Sequence, residues 1–485
     1  MAGFEELLNN AVVAINNVLW NYLIIFILVG AGLYFTMTTR FVQLRYLKEM
    51  VRLIADSVGE DTGHKHVSSF QAFAVSTASR VGVGNIAGIA VAIVLGGPGA
   101  IFWMWAIALI GAATGFIEST LAQIYKEPLP KGGFFGGPAY YIRYGLNSPV
   151  LSTIFAILIS VTFGLIYVSV QANTLALALE PFDIPVLHTG IVVALLAGLV
   201  VYGGMHRVAK VSEVIVPIMA ILYLGTALYV IITNITMFPH VIYSIVSNAF
   251  NFDSAAGGFM GATMMNGIKR GLFSNEAGEG SVPNAAATAA VSHPVMQGLV
   301  QAFGVFVDTM FVCTASAFIV LMIGDYSTTG LTGINLVQYN LGQELGPWAP
   351  YAVALFIVLF SFSSIVGNYY YAEVNITHLT KKRYPLHIFR WVLVAMVVIG
   401  SVASLDFVWN IADLFMALLV FLNVSCIVRL GRQAGLALDD YESQKKAGIV
   451  NPVFHRSVLP KLNGIVWWGD GQTTHSAGHS DKSDK

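Results

Sequence analysis

Eleven stretches of this chain are apolar over the roughly 20 residues that an α-helix needs to cross a bilayer. They span approximately 17–38, 67–96, 99–126, 149–179, 186–203, 210–234, 259–292, 297–324, 348–374, 385–404 and 407–428. Only 11% of the residues are charged, whereas a soluble domain carries about 25%. The sequence therefore predicts an all-α polytopic membrane protein with 11 transmembrane helices.

Charge and cysteine content exclude two other classes of protein. The formal net charge of -1 leaves no basic excess for a nucleic-acid partner. Cys313 and Cys426 both lie in apolar runs, so a disulfide framework is excluded.

The basic residues predict the orientation in the membrane. Of the 25 Lys and Arg residues, 21 lie in loops or in the tail on one side of the predicted spans. The other four lie inside spans: Arg80, Lys269, Arg270 and Arg390. Because cytoplasmic loops carry the excess of Lys and Arg, we predict an external N-terminus and a cytoplasmic C-terminus.

A short motif occurs twice in the chain. Residues 80–88 read RVGVGNIAG and residues 270–278 read RGLFSNEAG, with matching Arg, Asn, Ala and Gly positions at a constant offset of 190. The same offset places the FIES of residues 116–119 on the FVDT of residues 306–309. We interpret these matches as an internal duplication.

The duplication predicts two units of five spans each. Because five is odd, the second unit enters the membrane from the opposite face, as in the inverted repeats of secondary transporters. The predicted parts are an extra N-terminal helix with its loop (1–66), the first repeat (67–234), the second repeat (235–430) and a cytoplasmic polar tail (431–485). Within the tail, residues 469–485 are expected to be disordered, and residues 454–468 either lie on the membrane surface or are loosely ordered.

Both copies of the motif are poor helices. Gly82, Gly84 and Gly88 crowd the first copy, and each glycine costs about 1 kcal/mol in a helix interior. Glycines also serve helix packing, but polar residues such as Asn85 and Asn275 at the same places favour a cavity. Broken helices at matching points of inverted halves predict a binding site near the membrane midplane.

The chemistry of a helix break favours an amino acid and a small cation. Free N–H groups at a helix N-terminus bind a carboxylate, and free carbonyl groups accept an ammonium or coordinate Na⁺. Asn85 offers an amide oxygen beside the first break, and Ser361, Ser363 and Ser364 offer hydroxyls. Serines in membrane helices also bond back to their own helix, which is the alternative for these three.

An acidic residue follows each motif arginine at the same distance along the chain, 38 residues. Glu118 follows Arg80, and Asp308 follows Arg270. Since an unpaired buried charge is costly, we expect each acid to neutralise a basic residue of the motif, within its own repeat or across the two. Exposure to an aqueous vestibule and a proton relay are the alternatives.

The sequence resembles the alanine/glycine:cation symporter family. The match is carried by MNGIKRGLFSNEAGEGSVPNAAATA at residues 265–289, and by RVGVGNIAG, GGPAYY (136–141), VQAN (170–173) and SFSSIVGNYYYAE (361–373). The resemblance implies a leucine-transporter fold with broken core helices 1 and 6. It also implies Na⁺-coupled import of alanine or glycine across a prokaryotic inner membrane, without an organic cofactor.

The resemblance also implies roles for individual residues. The substrate pocket would be lined by Gly82, Val83, Gly84, Gln171, Phe273, Ser274, Asn275 and Asn368. Sodium would be bound by the Val81 carbonyl, Asn85, Ser363 and Ser364.

Other functions are weighed against alanine or glycine symport. Many members that take alanine or glycine carry Trp where this chain has Asn368, so a larger polar substrate such as glutamine stays open. Proton coupling is an alternative, whereas an intramembrane enzyme is disfavoured because HExxH and GxSxG motifs with partners are missing from the sequence.

Overall fold

The computed structural model describes residues 2–58, 67–130, 132–250, 258–324, 326–460 and 464–468. The described residues are helical apart from loops, an isolated bridge between Val67 and Ala289, and one antiparallel pair. In that pair β1 (Glu127–Pro128) lies against β2 (Phe134–Phe135). The predicted disorder of residues 469–485 falls outside the described residues.

Helices account for the architecture of the described residues. The α-helices are α1 (Ala2–Leu19), α2 (Ile25–Thr38), α3 (Val42–Arg45), α4 (Leu47–Ser57), α5 (Ser69–Arg80), α6 (Ile89–Gly96), α7 (Gly99–Ile124), α8 (Pro138–Gly145), α9 (Pro149–Val161), α10 (Val168–Leu179), α11 (Val186–Val201), α12 (Met205–Thr233), α13 (Phe238–Ala249), α14 (Gly258–Asn275), α15 (Val282–Ala286), α16 (Pro294–Phe306), α17 (Thr314–Met322), α18 (Gly333–Leu345), α19 (Ala349–Leu379), α20 (Arg383–Val402) and α21 (Leu405–Lys446). Turns of π-helix occupy Trp20–Ile24, Gly84–Gly88, Thr162–Tyr167 and Val307–Cys313, and 3-10 turns occupy Glu180–Phe182, Ile235–Met237 and Arg456–Val458.

Among the described residues, eight helices are long and apolar enough to cross a membrane. A ninth crossing results if Ser69–Arg80 and Gly84–Gly96, which meet at a 53° bend, are counted as one span. The sequence predicts 11. Helix α11 is apolar but short, and the predicted span 259–292 is divided between α14, a turn and α15.

Glycines and one strained residue terminate the helices at the two motif copies. α5 begins with a capping box between Ser68 and Gln71 and ends at Arg80. α14 ends at Asn275, and Glu276 then adopts a left-handed conformation with φ of 56°. Gly278 and Gly280 follow at φ of 97° and 79°, values that other residues rarely adopt.

Helix α7 lies at the centre of the bundle. Every residue from 111 to 124 is buried, and α7 packs against α2, α14, α16 and α21. Close approach depends on small residues, since a Cβ at Gly298 of α16 would lie 2.1 Å from the Thr120 hydroxyl.

Helix α21 continues past residue 431, where the polar tail is predicted to begin. α21 continues to Lys446 and buries Ala434, Ala437, Leu438 and Tyr441. This spacing forms one apolar stripe along a helix, so burial of that face extends the helix beyond the predicted span.

Ion pairs fix the extended end of α21 to the segments near α2 and α4. Arg45 Nη2 lies 2.7 Å from Glu442 Oε1. Burial alone would raise the pKa of Glu49, but hydrogen bonds from Arg52, Tyr441 and Lys445 lower it to about 2. The end of α21 is therefore a fixed part of the fold.

Candidate functional site

The first helix break is the segment between the end of α5 at Arg80 and the π turn that begins at Gly84. Its backbone N–H groups point toward amide side chains. Gly82 N donates to Asn85 Oδ1 at 2.9 Å, and Val83 N donates to Gln171 Oε1 at 3.0 Å. A Cβ at Gly82 would lie 2.3 Å from Ser364 Oγ, so only glycine fits between α19 and Gln171. The structure thus brings together Gly82, Val83 and Gln171, three of the residues to which the family resemblance assigns the substrate pocket.

Aromatic rings cover the other side of the break. A Cβ at Gly84 would lie 2.5 Å from Phe273 Cδ1, which places the Phe273 ring directly on the Gly84 backbone. Tyr167 and Trp409 flank that ring, with centroids 4.8 and 4.9 Å away. Sequence reasoning missed Tyr167 and Trp409, because an aromatic residue in an apolar span carries no distinguishing signal.

A buried polar cluster lies beside the same break. Asn85 Nδ2 donates to Ser274 Oγ at 2.9 Å and also donates to Asp308 Oδ1. Ser274 Oγ donates to Asp308 Oδ2 at 2.5 Å, and Thr309 Oγ1 lies 3.2 Å from the same oxygen. All four residues are at most 1% exposed, so the carboxylate is held away from solvent.

Asn275 stabilises the turn at the second break. Its Oδ1 accepts from Ala277 N at 3.0 Å, and its Nδ2 donates to Thr309 Oγ1 at 3.2 Å. The side chain therefore contacts the polar cluster through Thr309 rather than joining Ser274 at its centre.

The predicted neutralisation of Arg270 by Asp308 is wrong. Arg270 Nη2 lies 2.8 and 2.7 Å from the two carboxylate oxygens of Asp413 on α21. Lys269 Nζ lies 3.5 Å from Asp413, and the Arg270 guanidinium stacks on Trp409 at 4.6 Å. Asp413 is therefore the ion-pair partner of these cations, and Asp308 lies in the polar cluster instead.

The predicted pairing of Glu118 with a motif arginine is also wrong. Glu118 accepts from Gly278 N at 3.2 Å and from Asn423 Nδ2 at 2.8 Å, and so supports the second break. Arg80 instead donates to Ser76 Oγ and Gln301 Oε1, both at 3.2 Å. Backbone and amide groups thus replace the expected charge partners.

The serines of α19 differ in their contacts. Ser364 Oγ lies 3.0 Å from Ala78 O and 3.5 Å from Val81 O, at the end of α5. Ser363 Oγ donates to Phe360 O of its own helix at 3.0 Å. Ser361 is buried, and its hydroxyl has no hydrogen-bond partner within the described part of the chain.

Asn368 lies one helical turn from Ser364. Its Oδ1 accepts from Ser79 Oγ at 2.6 Å, and Ser79 Oγ is also 3.0 Å from Glu276 Oε1. Its Nδ2 is buried and has no partner among the described residues. Ser79 and Glu276 were missed as neighbours of Asn368, because their contact joins three distant parts of the chain.

Comparison with known proteins gives the context for this arrangement. Residues 5–456 match the model of the sodium:alanine symporter family. The chain belongs to this family. Membership confirms the resemblance found in the sequence, and it places the chain among secondary transporters rather than enzymes.

Two bacterial relatives illustrate the range within the family. The probable sodium/glutamine symporter GlnT of Bacillus subtilis is 50% identical over 96% of this chain and 97% of its own length. The sodium/proton-dependent alanine carrier protein of Bacillus sp. PS3 is 36% identical over 86% of this chain and 97% of its own.

Solved structures share the fold. A crystal structure of MhsT in complex with L-phenylalanine matches with a TM-score of 0.56 and 14% identity, covering 78% of this chain and 89% of that one. The Eremococcus coleocola manganese transporter matches with a TM-score of 0.53 and 14% identity, over 79% and 81% of the two chains. This likeness shows the leucine-transporter fold alone.

Proposed function

We propose that the protein is a sodium-coupled symporter that imports a small neutral amino acid by alternating access. The observation that carries this proposal is the first helix break. Its Val83 N–H faces the Gln171 amide oxygen, and the Phe273 ring covers Gly84. A substrate carboxylate would replace the Gln171 oxygen as acceptor of the Val83 N–H, with Gly82 and Gly84 allowing close approach.

We propose that the cluster around Asp308 forms one sodium site. Sodium, like other hard cations, prefers oxygen ligands. Asp308, Ser274 and Thr309 supply such oxygens within hydrogen-bond distance of one another. Rotation of the Asn85 amide would add its oxygen, and the negative charge of Asp308 would be compensated by the ion.

The second proposed sodium site joins α5 to α19. Its oxygens are the Val81 carbonyl, the Ser364 hydroxyl and the Ala78 carbonyl, which sequence reasoning did not name. Ser363 would join this site by releasing Phe360 O. An ion bound here would link the two helices and so favour one arrangement of the gate.

We also propose how the chain crosses the membrane. Helix α11 and the α14–α15 segment would complete 11 crossings in two inverted units. The N-terminus would be external and the C-terminus cytoplasmic, as the distribution of Lys and Arg favours. Phe273, with Tyr167 and Trp409, would close the external side of the pocket over the substrate.

Asn368 supports glutamine as the second candidate substrate. The free Asn368 Nδ2 can donate to a side-chain carbonyl, and Ser79 and Glu276 supply neighbouring polar groups. The relative named as a probable sodium/glutamine symporter adds support. Alanine and glycine would bind through the backbone N–H groups of the first break and would not reach the side chains of Asn368, Ser79 and Glu276.

Replacing Asn368 with Trp tests the proposed pocket. Glutamine binding is expected to weaken about 10- to 100-fold because the indole fills the space next to Ser79, whereas alanine binding changes little. The measurement is a competition panel of alanine, glycine, serine and glutamine on purified protein, in sodium and in choline medium. Asn335→Trp, at an exposed position of α18, makes the same side-chain exchange away from the proposed pocket and is the control.

Two results of this panel would count against the proposal. Unchanged selectivity in Asn368→Trp would mean that Asn368 does not line the pocket. Equal binding in sodium and in choline would argue against sodium dependence of the wild-type protein.

A further inference from the structure

The segment after α21 folds back onto one end of the membrane domain. We define the strap as its described residues, 452–460 and 464–468. Phe454 N donates to Ser292 O at 3.0 Å, and Ser292 Oγ donates back to Pro452 O at 2.8 Å. Phe454 is 3% exposed, so this part of the tail packs on the fold rather than being loosely ordered.

The distal end of the strap is fixed to α7. Trp468 Nε1 donates to the Gln123 carbonyl at 2.9 Å. Its ring lies 4.9 Å from Lys126 Nζ, and Phe134 lies 4.2 Å from the same ammonium on another side. Trp467 packs on Phe134 at 4.6 Å. The strap therefore encloses a buried lysine between aromatic rings.

A histidine joins the strap to α21. The His293 ring packs edge-on against Tyr441 and Phe454, with centroids 5.0 and 5.1 Å away. Its Nε2 lies 3.1 Å from Asp440 Oδ2. The strap is thus held between a fixed helix and the segment that precedes α16.

Beneath the strap, a residue just before α5 pairs with residues that follow α15. Ala290 N donates to Val67 O at 3.0 Å, just before α5 begins. Gln123 Nε2 and Lys126 Nζ both donate to Ala289 O, at 3.1 and 3.0 Å. A buried apolar plug fills the space there, formed by Val67, Ala72, Ala289 and Val291.

We infer that the strap is a latch on the intracellular gate. The inference rests on the proposed transport function and orientation. For the pocket to open toward the cytoplasm, the start of α5 must separate from residues 289–291, which breaks the Val67–Ala290 bond and the plug. The strap ties residues 292 and 293 to the end of α7. It therefore holds residues 289–291 in the position that bonds and packs against the start of α5, and in this way it opposes that separation.

The contacts of the strap suit a reversible latch. They consist of a few hydrogen bonds of modest net strength together with aromatic packing. With the strap attached, residues 289–293 stay in the position that packs against the start of α5, so α5 must break the full set of contacts there in order to move. Removing the strap therefore shifts the population toward the inward-open state.

The test is cytoplasmic accessibility of a thiol placed in the plug by the substitution Ala72→Cys. Ala72 is 0% exposed, and the native Cys313 and Cys426 are buried at 0% and 4%. Labelling by a membrane-impermeant thiol reagent is measured in inside-out vesicles, with the chain that keeps Ala72 as background. Within the Ala72→Cys background, a chain ending at Asn451 lacks the strap, and a chain ending at Trp468 keeps it as the matched control.

We expect the introduced thiol to be labelled roughly tenfold faster in the chain ending at Asn451 than in the full chain or the control, since several contacts of modest strength are lost together. Adding Trp468→Ala to the full-length Ala72→Cys chain is also expected to make labelling faster. This variant tests the latch even if the shortened chain does not fold. Equal labelling rates with and without Trp468→Ala would overturn the latch. Loss of sodium-dependent binding in the unmodified protein would instead refute the proposed function, whatever the labelling rates.

Discussion

Replacing Asp308 with Asn is expected to abolish sodium-driven uptake at ordinary sodium concentrations. The carboxylate of Asp308 is the only formal charge in the cluster with Asn85, Ser274 and Thr309. Removing one partner of a buried charge pair costs about 3 kcal/mol or more, which corresponds to roughly a hundredfold weaker sodium affinity. The measurement is the sodium concentration that gives half-maximal amino-acid binding.

The controls separate ion binding from folding. Glu180→Gln removes an exposed carboxylate in a 3-10 turn and is expected to leave the sodium dependence unchanged. The amide in Asp308→Asn has nearly the volume of the carboxylate, so folding is expected to survive. A folded Asp308→Asn protein with the sodium dependence of the wild type would show that Asp308 does not hold the ion.

Gly82→Ala is expected to reduce uptake at least tenfold. The added methyl would lie 2.3 Å from Ser364 Oγ and 2.9 Å from Gln171 Oε1, so these two side chains or the backbone after α5 must shift. Overpacking of this kind typically costs about 1–3 kcal/mol. Gly82 lies next to the backbone N–H proposed to bind the substrate carboxylate, and its added methyl would also press on Ser364 of the second proposed sodium site. Substrate binding and sodium binding are therefore expected to weaken together.

Gly225→Ala is the matched glycine control. Outside its own stretch of α12, no atom of the described residues lies within 4 Å of a Cβ at Gly225, so the methyl meets open space. Its uptake should equal that of the unmodified protein. Wild-type kinetics in Gly82→Ala would mean that the close contact between α5 and α19 is not needed during transport.

The breaks themselves could be predicted because their cause is local. Glycines and polar residues inside apolar spans signal a weak helix, and a motif that recurs at one offset points to the same feature twice. The structure ends α5 at Arg80 and α14 at Asn275, inside those motif copies. The residues that meet at the first break, Gly82, Val83 and Gln171, were likewise accessible through the family resemblance.

Partners across the bundle could not be predicted in the same way. Arg270 pairs with Asp413, which lies 143 residues away, because α14 and α21 pack together in three dimensions. The equal spacing of Arg80–Glu118 and Arg270–Asp308 along the chain suggested pairs that packing does not form. The stripe that extends α21 was hidden among the charged residues of its outer face, and only burial of Leu438 and Tyr441 reveals it.

Ion coupling is tested most directly by uptake into proteoliposomes under separately imposed gradients. An inward sodium gradient without a pH difference is expected to accumulate alanine or glutamine above the external concentration. An inward proton gradient in sodium-free medium is expected to give no accumulation. Accumulation driven by protons alone, or equal uptake with and without sodium, would contradict sodium-coupled symport.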